Sequence, residues 1–398
     1  MTELDESMMH RALAMAKKGE GRVEPNPMVG CVIVRNGRII GQGYHRRFGG
    51  PHAEIVALES CTRNPCGATV YVSLEPCCHH GKTPPCTDAL IQAGVARVVT
   101  PLSDPNLAVN GKGLRRLRAA GIMVTVGVLV HEAAEVLAPF LTCVRLGRPY
   151  VIAKWAQSLD GQLITPPGES KWISCESSRR TVHRLRARVD AVLVGVGTVL
   201  ADNPLLTARD VPLPRRALRV VLDGKLRIPM SANVVSSSKI TPTLVLTTPQ
   251  ALKTKKARML LRRGVEVIAC ASKGGRLVLG DCMSRLSDRG VTNLLVEGGP
   301  TVLRAMLDAR LVDEALAFVA PRLIGGKPQA LCLTEVVAYA DSRGTTVRRC
   351  GDDLLFRLRL TDPPLTDVHS QRIVRPLKRR SPRRPRRSPP EPAPSARG

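Results

Sequence analysis

Three short segments constrain the fold of this chain more than any other feature: His52-Ala53-Glu54, Pro76-Cys77 and Cys86. One imidazole and two thiolates suit a single zinc ion. They leave its fourth tetrahedral position open, as in a catalytic centre rather than a closed structural one. A fold that uses them this way must bring residues distant in sequence to one point. Two residues along a regular helix lie about 200° apart, so His52 and Glu54 can act together only at a helix entry. Cys86, after Pro84-Pro85, is likewise placed to open a helix, so positive dipole ends would face the thiolates. Zinc makes hydroxide available near neutral pH, and Glu54 is the acid placed to shuttle the proton onward. Cys78, His79 and His80 are further possible donors, but Cys77 is preferred because it follows a proline at a strand end.

Hydrophobic periodicity supplies the elements around these residues. Asp5–Lys18 has helical spacing and stops at Gly19, and strands are predicted on either side of Asn36-Gly37, a two-residue hairpin signal. Helices from about His52, Cys86, Gly111 and His131 alternate with strands at Ala68–Leu74, Ala96–Pro101 and Met123–Val128. This alternation predicts a mainly parallel sheet covered on both faces. Gly147-Arg148-Pro149 marks a boundary. A second alternating segment follows, with strands near Tyr150–Trp155, Ala191–Val196, Arg219–Leu222, Thr243–Thr247, Val265–Ala269 and Asn293–Val296. The last strand runs into Glu297-Gly298-Gly299-Pro300, a helix entry suited to phosphate. No G-x-G-x-x-G follows a strand, so a standard dinucleotide fingerprint is missing. The domains expected are 1–146, 147–364 and a disordered Pro/Arg-rich tail over 365–398.

The formal charge of +27 is concentrated in part in that tail, where Gln371–Gly398 holds ten Arg or Lys against the single acid Glu391. Such a segment can bind nucleic acid weakly, without reading bases and in a salt-sensitive way. Aromatics make up 3% of the chain, which argues against a base-stacking platform. No apolar run is long enough to span a bilayer, and the acidic start is unlike a signal peptide, so the cytoplasm is the expected compartment. Twelve cysteines there are expected as ligands and core residues rather than a disulfide scaffold.

Leu74-Glu75-Pro76-Cys77-Cys78-His79-His80-Gly81-Lys82-Thr83-Pro84-Pro85-Cys86 resembles the signature of the bifunctional deaminase/reductases of riboflavin biosynthesis. Asn26-Pro27, Val29-Gly30, His45 and Asp104-Pro105-Asn106 match as well. In the second half, Ser158-Leu159-Asp160-Gly161, the segment from Gly168 to Ile173, Gly195 to Pro204, Glu297-Gly298-Gly299 and Leu323-Ile324-Gly325-Gly326 are similar to the reductase half. The resemblance implies an α/β architecture: a cytidine-deaminase-like three-layer αβα domain followed by a dihydrofolate-reductase-like domain. It implies zinc at His52, Cys77 and Cys86, one ion per chain, with Glu54 catalytic. Asn26, His45, His79, Lys82, Asp104 and Asn106 would contact the deaminase substrate, a phosphorylated pyrimidine ribosylamine. Ala156, Trp172, Thr198, Asp202 and Gly299 would line NADPH, while Ser170, Arg186, Leu206, Arg209 and Glu297 would hold the reductase substrate. Arg186 and Arg209 are natural forks for a ribose phosphate, and a proton donor is sought among Lys154, Asp202 and Glu297. The sequence departs from the family pattern at Cys78, usually serine, and at Gln162, usually Lys or Arg. A homo-oligomer is expected. The alternative is a nucleic-acid-editing deaminase with a basic recruitment tail, favoured by charge but not by the long spacing between Cys77 and Cys86.

Overall fold

The computed structural model describes residues 2–79, 84–165, 172–325 and 344–365. The N-terminal part is built on strands β1 (Gly30–Arg35), β2 (Arg38–Tyr44), β3 (Thr69–Val72), β4 (Arg97–Thr100) and β5 (Met123–Val126). Their order across the sheet is β2-β1-β3-β4-β5. Five helices accompany them: α1 (Glu3–Ala16), α2 (Ala53–Glu59), α3 (Cys86–Gln92), α4 (Lys112–Ala119) and α5 (Val130–Leu146). Asn36 and Gly37 both take positive φ, 50° and 71°, as a two-residue hairpin turn requires. That hairpin makes the sheet mixed rather than mainly parallel. β1 is antiparallel to both β2 and β3, and parallel pairing holds from β3 through β5.

Strand side chains alternate between two cores, as the period of two demands. Val32, Val34, Tyr71 and Val99 meet α1 and α5 on one face. Cys31, Ile33, Val70, Val72 and Val98 meet α2, α3 and α4 on the other. The result is the expected three-layer αβα arrangement. Residues after the strands therefore emerge together at one edge of the sheet, where the helix entries lie.

α5 stops at Gly147, whose φ of 64° suits a C-terminal glycine cap. Arg148 then donates two bonds to Asp313, at 2.6 and 2.8 Å, tying the connection to the second domain. That domain has strands β6 (Tyr150–Ser158), β7 (Ala191–Gly195), β8 (Leu218–Leu222), β9 (Thr243–Thr247) and β10 (Glu266–Ala269). Then come the small hairpin β11 (Ser272–Lys273) and β12 (Arg276–Leu277), β13 (Asn293–Val296), β14 (Glu314–Ala320), β15 (Thr346–Cys350) and β16 (Asp353–Arg359). The large sheet runs β10-β9-β8-β7-β13-β6-β14-β16-β15. It is parallel up to β14 and antiparallel where β16 joins. Its helices are α6 (Glu176–Arg186), α7 (Val196–Asp202), α8 (Asn233–Ser236), α9 (Pro249–Leu252), α10 (Lys255–Arg262), α11 (Leu279–Ser287) and α12 (Pro300–Asp308). α11 and α12 cover one face, and α7 to α10 cover the other.

The six strands anticipated in this half are all present, but β11, β12, β14, β15 and β16 were not anticipated. β14 is buried on both faces, and after Glu314 it reads as an apolar run without alternation. β15, with Arg348 and Arg349, is exposed for most of its length. The tail beyond residue 365 lies outside the described residues. Among the described residues, no helix is long and apolar enough to cross a membrane.

Candidate active sites

The zinc-ligand candidates converge at the edge of the first sheet. His52 is the N-cap of α2, with extended backbone (φ −73°, ψ 164°), and Cys86 is the first residue of α3 after the Pro85 N-cap. Cys77 lies just beyond β3. His52 Nδ1 is 3.3 Å from Cys86 Sγ and 3.5 Å from Cys77 Sγ, and the Cys86 N–H donates to Cys77 Sγ at 3.3 Å. All three ligand atoms lie within 4.8 Å of one another. One nitrogen and two sulfurs at this separation fit a zinc ion that retains an open position. The hydrogen bond between the two sulfurs lowers the Cys77 thiol and raises that of Cys86, and His52 lowers Cys77 further. Cys78, the rival sulfur, is not part of the cluster.

Glu54 follows in the first turn of α2 and is 3% exposed. Burial pushes its carboxyl up to about 7, with His52 opposing. A group that must take a proton and return it works best with such a value. His45 is buried, which lowers its imidazole pKa, and its Nδ1–H donates to the Pro51 carbonyl at 2.9 Å. That leaves Nε2 to accept from the Asn26 amide at 3.2 Å, with the His45 ring set edge-on to His52 at 5.5 Å. Asn26, His45 and His52 thus form one continuous wall.

Asp104 is also buried, and burial drives it up to about 7 although the Asn106 N–H donates to it at 2.8 Å. Asn106 itself is exposed, and His79 is half-buried with Nδ1 enclosed and without a hydrogen-bond partner. Lys82 lies outside the described residues. Two residues here escaped the sequence reading. Glu75 accepts four backbone N–H bonds, from Asp104, Gly111, Gly113 and Leu114, and so fixes the Asp104 loop to the start of α4. Its position directly before Pro76-Cys77 was the available signal. Arg145, in the last turn of α5, opposes the rise of Asp104 and has Nε and Nη1 buried without hydrogen-bond partners.

The second constellation forms where β7, β13 and α6 meet. Glu297 continues from β13, and its N–H donates to the Leu193 carbonyl at 2.9 Å. Arg186, at the end of α6, donates from Nε and Nη2 to Glu297 at 2.6 and 2.9 Å, and from Nη1 to the Thr207 carbonyl at 3.2 Å. Its fork is therefore engaged by Glu297 rather than open to a phosphate. Burial raises Glu297, but Arg186 and then Lys154 outweigh it and hold the carboxyl below its ordinary value. Lys154 is itself lowered by burial and lies 5.6 Å over the Phe318 ring.

Leu206 and Thr207 join Arg186 and Arg216 around a cavity of about 200 Å³. Thr198 Oγ1 accepts from the Gly299 N–H at 3.1 Å, bringing α7 to the N-cap of α12. Ala156 lies on β6, while Asp202 and Arg209 are exposed. Trp172 is half-exposed beneath the Arg179 guanidinium, 5.1 Å away. Ser170 lies outside the described residues. Asp160 joins two of the family-like segments by accepting from the Ile324 and Gly325 N–H groups. Gln162 is buried, and its N–H donates to Ser158 Oγ. A residue the sequence reading missed is His183, which lies one turn before Arg186 and so on the same helix face. Burial lowers it, and Arg186 and Arg209 lower it further.

Comparison with known proteins places both halves. Residues 149–356 match the RibD C-terminal domain, and residues 2–102 match the cytidine and deoxycytidylate deaminase zinc-binding region. The riboflavin biosynthesis protein RibD of Aquifex aeolicus is 45% identical over 323 residues, 81% of this chain and 88% of that protein. The chain belongs to the RibD family. It is a bifunctional deaminase/reductase of riboflavin biosynthesis. RibD of Escherichia coli is 41% identical, covering 89% of this chain and 99% of its own length. Among solved structures, RibD of Acinetobacter baumannii aligns with a TM-score of 0.77 at 34% identity over 90% of this chain and 99% of that one. The Thermotoga maritima diaminohydroxyphosphoribosylaminopyrimidine deaminase/5-amino-6-(5-phosphoribosylamino)uracil reductase aligns at 0.75 and 36%, with the same coverage of each chain. The nucleic-acid-editing alternative finds no support in these matches.

Proposed function

We propose that this RibD-family chain carries out two successive reactions in the cytoplasm on one phosphorylated substrate. The first is hydrolytic deamination of 2,5-diamino-6-ribosylamino-4(3H)-pyrimidinone 5′-phosphate in domain 1–146. The second is NADPH-dependent reduction of the product's ribosyl group to ribityl in domain 147–364. The observation that carries the first is the approach of His52, Cys77 and Cys86 to one point beside buried Glu54. Zinc bound there, one per chain, supplies an activated water at neutral pH. Glu54 would carry one proton of the attacking water to the ring nitrogen, and then the second, from the newly formed hydroxyl, to the amino group that leaves as ammonia. Asn26, His45, His79, Lys82, Asp104 and Asn106 orient the pyrimidine and its ribose phosphate.

In the reductase, Ala156, Trp172, Thr198, Asp202 and Gly299 line NADPH, which supplies the hydride. Ser170, Arg186, Leu206, Arg209 and Glu297 hold the substrate. With the Arg186 fork engaged by Glu297, exposed Arg209 is the freer partner for phosphate. The resemblance supports a homo-oligomer, and the basic tail adds weak, salt-sensitive contact with nucleic acid.

Following product masses with and without NADPH tests the order of the two reactions. A chelator should remove deamination and leave reduction of the deaminated substrate intact. Equal loss of both activities in folded protein would sink the two-site reading. Cys78→Ser should retain zinc, whereas Cys77→Ser should lose it. The reverse pattern, read by metal content, would reassign the ligand.

A further inference from the structure

One of the contacts between the two domains lies adjacent to the deaminase site. Segment 19–26 of the first domain lies against residues 188–190, 215 and 290 of the second. Gly21 has φ +74° and faces the Arg188 backbone. A Cβ there would lie 2.9 Å from Arg188 Cα and 3.2 Å from its carbonyl oxygen, so glycine is needed for both conformation and contact. Pro25 reaches to 4.0 Å from the Cβ position of Gly290. Arg188 pairs with Glu20 at 2.8 Å, but both side chains are about half exposed, so that pair contributes little.

The buried pair is different. Arg215 Nη1 lies 3.2 Å from Glu24 Oε2 and also pairs with Asp190 Oδ1, and the two carboxylates are only 7% and 3% exposed. Each carboxylate is anchored on its own side. Glu24 Oε1 accepts from the Gly21 N–H at 2.9 Å, and Asp190 Oδ2 accepts from Thr292 and Asn293 N–H groups at 2.8 and 3.0 Å. One guanidinium therefore joins a rigid corner of the reductase sheet to a turn of the deaminase. Two residues beyond Glu24 is Asn26, whose amide donates to His45 beside His52. Burial and then Asp190 oppose ionisation of Glu24, and Arg215, in contact with both carboxylates, is the cation that opposes them.

We propose that Arg215, a residue of the reductase domain, is a positioning residue for deamination. Through Glu24 it holds Asn26 against His45 in the orientation that receives the pyrimidine. This rests on the reading of Asn26 as a deaminase substrate contact. The deaminase site is complete only with the second domain docked, which gives a physical reason for the two activities to share one chain.

The test uses the full-length, zinc-loaded protein. Glu24→Gln keeps the shape of the side chain and leaves the Arg215–Asp190 pair intact. It should raise the deaminase KM about tenfold, the order expected when a charge-assisted hydrogen bond is lost. Deaminase kcat, zinc content and reductase KM should change little. Arg215→Met should raise the same KM, and Arg215→Lys, which restores the cation, should recover part of it. Asn26→Ala serves as the reference. If it leaves the KM unchanged, the assignment of Asn26 fails and the inference with it. If Asn26→Ala raises the KM while Glu24→Gln and Arg215→Met do not, only the inference is overturned. A parallel fall of both activities with melting temperature would mark the pair as merely structural and would also overturn it.

Discussion

Glu54→Ala should leave zinc bound and reduction intact while lowering the deamination rate by about 10²- to 10⁴-fold, the usual contribution of a positioned acid–base group. The geometry separates the two roles. The three ligand atoms come from His52, Cys77 and Cys86, and Glu54 is not one of them, although it is buried one turn-position away on the same helix entry. Removing it takes nothing from the donor set. What is lost is a carboxyl raised to about 7 by burial, able to accept and release a proton near neutral pH. Metal analysis, ammonia release and NADPH oxidation with the deaminated substrate read the three quantities independently. Loss of zinc comparable to that in Cys77→Ser would make Glu54 a ligand. Full deamination in the zinc-loaded variant would assign the proton transfer to another group.

How far the sequence reveals this molecule depends on whether a contact is local. The deaminase centre is legible because helix geometry forces His52 and Glu54 to a helix entry and proline places Cys77 and Cys86. The hairpin at Asn36-Gly37 is legible because left-handed backbone has few tolerant residues. What escaped reading depends on partners remote in sequence. Glu75 looks like an ordinary acid in a motif until its four N–H donors from 104–114 are in place. The Arg186 fork reads equally well as a phosphate clamp, because nothing nearby in sequence announces that Glu297 will occupy it. β14 was missed because a strand buried on both faces loses its alternation. Cys78 was ambiguous on composition alone, and the fold separates it from Cys77 by directing only one of two adjacent sulfurs toward His52.

Arg186→Met should damage the reductase strongly, while deamination persists. Arg186 is 15% exposed and Glu297 8%, so their attraction is little screened. Breaking a buried pair from one side costs about 3 to 5 kcal/mol, because the remaining charge keeps its desolvation cost without compensation. The same change releases the Thr207 carbonyl, and with it the wall of the adjacent cavity. Reductase substrate binding should therefore weaken by about 2 to 5 kcal/mol, measured as KM for the deaminated substrate or by calorimetry. The pH dependence gives a second reading. In the native protein Glu297 has a folded pKa below its ordinary value, so its contribution to stability is complete above the ordinary glutamate range. It is lost only as pH falls through that depressed value. Without Arg186, burial is opposed by Lys154 and His183 alone among the groups that now hold Glu297 down. The folded-state pKa moves upward, and the rise of stability with pH through the acid range should flatten. Thermal melts of both proteins from acid to neutral pH measure that slope. An unchanged slope together with an unchanged reductase KM would show that the Arg186–Glu297 pair neither holds the carboxylate ionised nor shapes the substrate site.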